Sequence, residues 1–274
     1  MADEQTPKWR GVKVVGGDLR ISDLKITFDD DGKITTGPVR TQVRTDMWPF
    51  WLEDAVEAAD TACRLADQIP ALDAQLDTEL PKEPINAEID RLLFRELRAS
   101  MRAITACAFA IDAFYAMVKE RCGPHPHHNA WRKNRTARER QITETLRHHL
   151  RIRAEGANQL KSAVSQLFRF RDWAVHLAAD FRDPVYREDV HSTVDWRFAA
   201  FRRDNAVTSV AMTVALFDSL VSILDRGGEE LRQCRKLARE RMDDIFRAYE
   251  QVDGLPELQR VEHDTGDTAA TESA

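Results

Sequence analysis

Hydrophobic positions follow two different periods along this chain. Between residues 11 and 40 they partly alternate with polar ones. Val12, Val14 and Val15 precede Gly16-Gly17, and Leu19, Ile21, Leu24, Ile26 and Phe28 lead to Asp31-Gly32 and then Ile34 to Val39. Alternation around an Asp-Gly turn predicts a small two- or three-stranded sheet. The acidic run Asp29-Asp30-Asp31-Gly32 lacks the alternate-position ligands and closing glutamate of a calcium loop, so it reads as a turn.

From Trp48 onward the period is helical. Trp48-Pro49-Phe50-Trp51 forms an aromatic anchor that opens a helix with Glu53 and Asp54 in its first turn, as the helix dipole favours, and Pro70 interrupts it. Asn86 reads as the N-cap of a long helix to about Arg121. Its stripe of Ile89, Leu92, Leu93, Leu97, Met101, Ile104, Ala108, Ile111, Tyr115 and Val118 would span roughly 54 Å. A break at Gly123-Pro124-His125-Pro126-His127-His128 precedes helices near 136–152 and 157–182. A loop over 184–193, an apolar helix from about Val194 to Arg226 and a C-cap at Gly227-Gly228 follow.

The expected fold is therefore mainly α, a helical bundle with a small N-terminal β-hairpin or sheet appendage. The appendage is placed at 1–46, the bundle at 47–226, an amphipathic C-terminal helix at 227–253 and a disordered acidic tail at 254–274.

Charge adds asymmetry. The 274 residues carry a net charge of −6, and the pI near 5.8 excludes a uniformly basic nucleic-acid binder. Residues 53–96 hold twelve acids against four bases, whereas 121–153 hold nine bases against two acids. The acidic stretch is a possible protein-partner surface. The basic stretch, with Arg132, Lys133, Arg135, Arg138 and Arg140 beside Trp131, is a candidate RNA track, since phosphate binding is mostly charge and an indole can stack a base. The plainer alternative is a solvated helix face pairing with the acidic helix 53–79.

The four scattered cysteines make no CxxC pair and read as reduced thiols. The absence of an apolar leader points to a cytoplasmic protein. Ala206–Leu224 is long enough to raise the membrane question, but Asp218 and interspersed Ser and Thr favour a buried core helix. His125, His127, His128, His148 and His149 could supply metal ligands, yet their spacing matches no zinc module, and a polar loop with surface histidines is the preferred reading. Phosphate-loop, dinucleotide, nucleophile-elbow and HExxH motifs are absent from the sequence. No metal or organic cofactor is expected.

The richest segment is Leu167-Phe168-Arg169-Phe170-Arg171-Asp172-Trp173-Ala174-Val175-His176-Leu177. On a helix, Phe170, Trp173, Ala174, Leu177 and Phe181 make an apolar stripe, and Arg169, Asp172 and His176 a polar one. Asp172 lies one turn before His176, where it could orient the imidazole. Arg171 lies about 140° round the helix from His176.

At these residues the chain resembles the HEPN (higher eukaryote and prokaryote nucleotide-binding) superfamily, helical bundles marked by an arginine, four to six residues and a histidine. The Arg-to-His spacing occurs four times, from Arg169 and Arg171 to His176 and from Arg121 to His127 and His128. Context selects Arg171, because Asp172 fills the polar second position and the pair sits late in the bundle; from Arg169 that position would be Phe170. The resemblance covers about 86–226. It implies a metal-independent RNase with Arg171, His176 and Asp172 catalytic and a site often shared across a homodimer; Arg169 is a further candidate for RNA contact. A toxin or anti-phage setting follows by family analogy alone. Two other readings stay open, a non-catalytic RNA-binding or antitoxin-like protein and a helical scaffold.

Overall fold

The computed structural model describes residues 17–22, 26–28, 31–37, 40–76, 81–176 and 181–261. The chain is mainly α, a helical bundle with small antiparallel strand pairs at its N-terminus. It divides into two compact units, Met1–Asp46 and Met47–Ala274.

In the first unit β1 (Gly17–Ser22) pairs with β4 (Arg40–Thr45), and β2 (Ile26–Phe28) pairs with β3 (Ile34–Thr36). The two ladders are nested, and Gly32 takes φ +75°, the conformation the Asp-Gly turn demands. A cross-strand ion pair of 2.6 Å joins Arg44 to Asp18. The fourth strand was not predicted, because Arg40–Thr45 holds one apolar residue, Val43. The expected Val12–Val15 stretch lies outside the described residues.

The second unit begins with α1 (Trp48–Ala66), α2 (Ile69–Leu76) and α3 (Glu83–Cys122). Pro49 and Pro84 both sit in first turns, where a missing N–H costs nothing. That is why α3 starts at Glu83 rather than at the predicted Asn86. Its 40 residues give about 60 Å of helix. Short α4 (His128–Lys133) leads to the antiparallel pair α5 (Arg138–His149) and α6 (Ala154–His176).

The predicted loop 184–193 is instead a clasp. In it β5 (Val185–Arg187) pairs with β6 (Ser192–Val194) around a 3-10 turn. The predicted single helix 194–226 is also divided, into α7 (Trp196–Ala200) and α8 (Arg203–Ser222). Arg202 between them is extended, at φ −109° and ψ 166°. A 3-10 turn and α9 (Glu229–Glu250) follow. Gly227-Gly228 does not form the predicted positive-φ cap; Gly228 is the N-cap of α9.

One core joins α1, α3, α5, α6, α8 and α9. Trp48 anchors it, stacked on Phe217 at 5.2 Å and edge-on to Phe114 at 5.8 Å. Its neighbours Phe50 and Trp51 are each 36% exposed, so only half of the aromatic anchor is core. A second cluster holds Leu65, Ile69, Ile89, Leu92 and Val190, where the clasp meets α1, α2 and α3.

Two corrections concern the C-terminal region. The amphipathic helix is integral to the bundle, burying Leu231, Met242, Ile245 and Phe246. Residues 254–261, assigned from sequence to a disordered tail, form a strap. Leu255 and Leu258 pack on the core, the Tyr249 hydroxyl donates to the Pro256 carbonyl at 2.8 Å, and Val261 N–H donates to Asp218 at 2.8 Å. Two helical stretches, α3 and Trp196–Ser222, contain apolar windows of membrane-spanning length, of which 61% and 56% is buried inside the bundle.

Gly123 ends α3 at φ 81° and ψ 173°, a region that only glycine occupies readily. A Cβ there would meet nothing within 4 Å. Gly123→Ala should therefore cost backbone strain alone, about 1–3 kcal/mol, read as a lower thermal midpoint. An unchanged midpoint would contradict this origin for the helix stop.

Candidate functional site

The Arg171 motif lies at the C-terminal end of α6. Phe170, Trp173 and Ala174 pack half-buried on the core and fix which side of the helix faces inward. The Arg171 guanidinium donates twice to Asp172 Oδ1, at 3.0 Å from Nε and 2.6 Å from Nη2. It also lies over the Phe168 ring, 4.5 Å from the centroid. Its side chain keeps 23% exposure and that of Asp172 52%, so the pair meets solvent. The guanidinium is thus fixed on one edge by a carboxylate and on its face by an aromatic ring.

His176 is the last described residue of α6; its side chain, like Leu177, lies outside the described residues. Phe181, predicted on the apolar stripe, is instead fully exposed. Arg169 is exposed on α6 and has no ion pair among the described residues.

Near this end of α6 is a cluster that sequence reasoning missed. Trp173 is edge-on to Trp196 at 5.8 Å, and Phe170 to Phe201 at 6.1 Å. Arg182 lies over the Trp196 ring at 4.6 Å and Arg197 at 5.2 Å. Trp196 Nε1 is buried without a hydrogen-bond partner. The sequence offered only the Trp196-Arg197 neighbours as a signal; Arg182 and Trp173 arrive through the fold.

The basic stretch is split in use. Arg132 and Lys133 close α4, Arg135 follows at φ +50°, and Arg140 lies on α5. All four are exposed and without ion pairs among the described residues. Arg138 is engaged by Asp112 at 2.6 Å and lies over the Tyr115 ring. Trp131 is only 9% exposed and stacks on His125, so its face is not open to a base as the sequence reading required.

Several acids of the 53–96 stretch pair with bases outside both that stretch and 121–153. Asp54 takes Arg102, Asp67 takes Arg203 at 2.8 Å, Asp73 takes His191 at 2.8 Å and Glu96 takes Arg187 at 3.0 Å. The last two arginines line a polar cleft of about 570 Å³ with Asp67, Tyr186, Asp189 and Arg202. Arg187 and Glu96 are 2% and 1% exposed. Of the charged residues that open α8, Arg203 pairs with Asp67 and gives its N–H to Glu96, while Arg202 pairs with Asp204 at 2.9 Å; Arg171 is not among the cleft's lining residues.

The histidines also depart from expectation. His125 is buried at 8% exposure rather than on a polar surface, stacked on Trp131 with ring centroids 4.4 Å apart. His148 is edge-on to it at 4.8 Å and His149 next to His148 at 4.9 Å. Among the described residues, no group of three or more His, Cys, Asp or Glu is arranged to hold a metal ion. Burial pushes the Cys107 thiol up to about 12 and the Cys63 thiol to about 11, which removes both as nucleophiles near neutral pH.

Comparison with protein-family models, curated proteins and solved structures returns no match.

Proposed function

We propose that the protein is a metal-independent endoribonuclease of HEPN type, with Arg171 and His176 as the reacting pair. The observation that carries this reading is the Arg171–Asp172 arrangement. A solvent-reaching guanidinium is held by the acid that follows it, late in the helix preceding the clasp and the α7–α8 stretch of a mainly helical bundle. The resemblance to HEPN proteins supplies the chemistry.

In that chemistry the 2′-oxygen of RNA forms a bond to the adjacent phosphorus as the bond from phosphorus to the 5′-oxygen breaks. The proton leaves the 2′-hydroxyl and one is delivered to the departing 5′-oxygen, leaving a 2′,3′-cyclic phosphate and a 5′-hydroxyl. Histidine suits these transfers near neutral pH. Arg171 neutralises the phosphorane-like transition state through fixed donors. Asp172 is a positioning residue that acts through Arg171. Arg169 with Arg132, Lys133, Arg135, Arg138 and Arg140 would hold the RNA backbone, with Arg138 first giving up Asp112. Two copies facing each other would bring Arg171 of one to His176 of the other, which removes the 140° separation on one helix.

The test is incubation of purified protein with a mixed RNA pool in EDTA, with product ends read for cyclic phosphate. Cleavage with those ends by the wild-type chain supports the proposal. Salt-sensitive RNA binding without cleavage would replace it with a binding protein, and neither would leave a helical scaffold.

A further inference from the structure

We propose that the 123–135 segment is a pH-operated latch, in which the neutral ring of His125 holds α4 and its cations against the bundle and protonation of that ring releases them. This inference stands whether or not the basic face binds RNA.

The sequence leaves the loop little else to hold it. Pro124 and Pro126 flank His125, and neither has an N–H. Beside the His125 carbonyl, which accepts the His128 N–H at 2.8 Å, and the His149 bond to the Gly123 backbone, the His125 side chain does the fastening. Its Nδ1 accepts the His127 N–H at 3.0 Å, at the N-cap of α4, and its ring stacks on the Trp131 indole with the planes 17° apart. Trp131 is the buried residue of six-residue α4, so this stack seats the whole arm. Arg132, Lys133 and Arg135 ride on it.

Accepting an amide proton requires a bare Nδ1. An imidazolium carries hydrogen on both nitrogens, so protonation replaces the acceptor with a donor facing another donor. The added charge would also meet others of its kind. From the loop His127 faces His125 at 5.4 Å; from α5 come His148 at 4.8 Å and His149 behind it. Glu144 on α5 favours the charged ring, but it is paired to Arg147 at 2.9 Å. Trp131 would also favour a cation over its face.

The opposing effects win. Burial first, then His148, His127 and His149, hold His125 below the usual histidine value of 6.5. Burial and His148 likewise lower His149, against the bond its ring gives to the Gly123 backbone. The sign follows from linkage. A ring whose folded value is depressed lends full stability above the unfolded value and loses it as pH falls towards the folded one. The latch is therefore closed at neutral pH and opens on the acid side of 6.5.

The experiment uses the full chain labelled with ¹⁵N at histidine and tryptophan, taken from about pH 7.5 to about pH 5. The expected result is joint loss of exchange protection at the His127 amide and movement of the Trp131 indole, while the indole of core residue Trp48 stays put. His125→Asn keeps a side-chain acceptor that does not titrate, so it should abolish the transition. His125→Phe keeps a ring on Trp131 without the acceptor, and should unprotect the His127 amide already at neutral pH. An unchanged His127 amide in the wild-type chain overturns the latch. So does the same transition in His125→Asn, or Trp48 moving in step, which would be unfolding of the whole bundle.

Discussion

Replacing Arg187 by methionine should cost about 3–5 kcal/mol of folding stability, the usual penalty for leaving one partner of a buried ion pair alone. Arg187 and Glu96 are 2% and 1% exposed at the floor of the polar cleft, so a partner lost on either side leaves a largely desolvated charge. The guanidinium gives Nη1 to Glu96 and to the Phe198 carbonyl, both at 3.0 Å, and Nε to Asp189 at 3.0 Å. Glu96 spends its other oxygen on the Arg203 N–H at 2.9 Å. Without Arg187 a buried carboxylate would keep one donor. The double variant Glu96→Met with Arg187→Met removes both charges and should recover part of the loss, because apolar pairs of similar volume often replace buried ion pairs at little cost. Recovery stays incomplete, since the Arg203 N–H and the Phe198 carbonyl lose partners.

Urea melts of the wild type, both singles and the double decide this. A double variant no more stable than Arg187→Met would show that packing, not charge, holds the clasp. Acid should weaken the same place. The Arg187 hydrogen bond holds Asp189 below its usual carboxyl value of 3.8, so that contribution is present above 3.8 and fades as pH drops through the folded value.

This network explains where the sequence stopped being readable. The apolar run from Val194 to Arg226 carries a helical period throughout, and local pattern predicts one helix. The break at Arg202 is set by Glu96, 107 residues away from the amide it accepts. No window of sequence contains both. His125 misled because a histidine between two prolines reads as surface loop, whereas the turn into α4 stacks it on Trp131 and the fold brings His148 to it. In the strap, Leu255 and Leu258 are too few to register against an acidic composition, yet an apolar seam receives them. The long helix α3 was legible because its stripe is one uninterrupted local signal. At the candidate site, Arg171 and Asp172 could be placed on a helix from spacing alone. That Asp172 clasps Arg171 depends on rotamers, and the Trp196 cluster depends on chain distant in sequence.

The largest effects on activity should come from the proposed pair itself. Loss of a general acid–base group typically removes a factor of about 10²–10⁴, so His176→Ala should lower cleavage by that much with its melt unchanged. Arg171→Lys keeps the charge but not the planar fork. If fixed donors stabilise the transition state, the lysine variant should lose about 10²–10³ in turnover while RNA binding changes little. Asp172 gives the sharper discrimination, because it touches Arg171 and not the scissile phosphate in this scheme. Asp172→Asn retains the oxygen that accepts both guanidinium bonds and should keep most activity, whereas Asp172→Ala frees the guanidinium and should lower kcat more than it raises KM. Equal activity of the alanine and asparagine variants would remove Asp172 from the site. Full cleavage by His176→Ala would remove the reacting pair, and with it the ribonuclease assignment at α6.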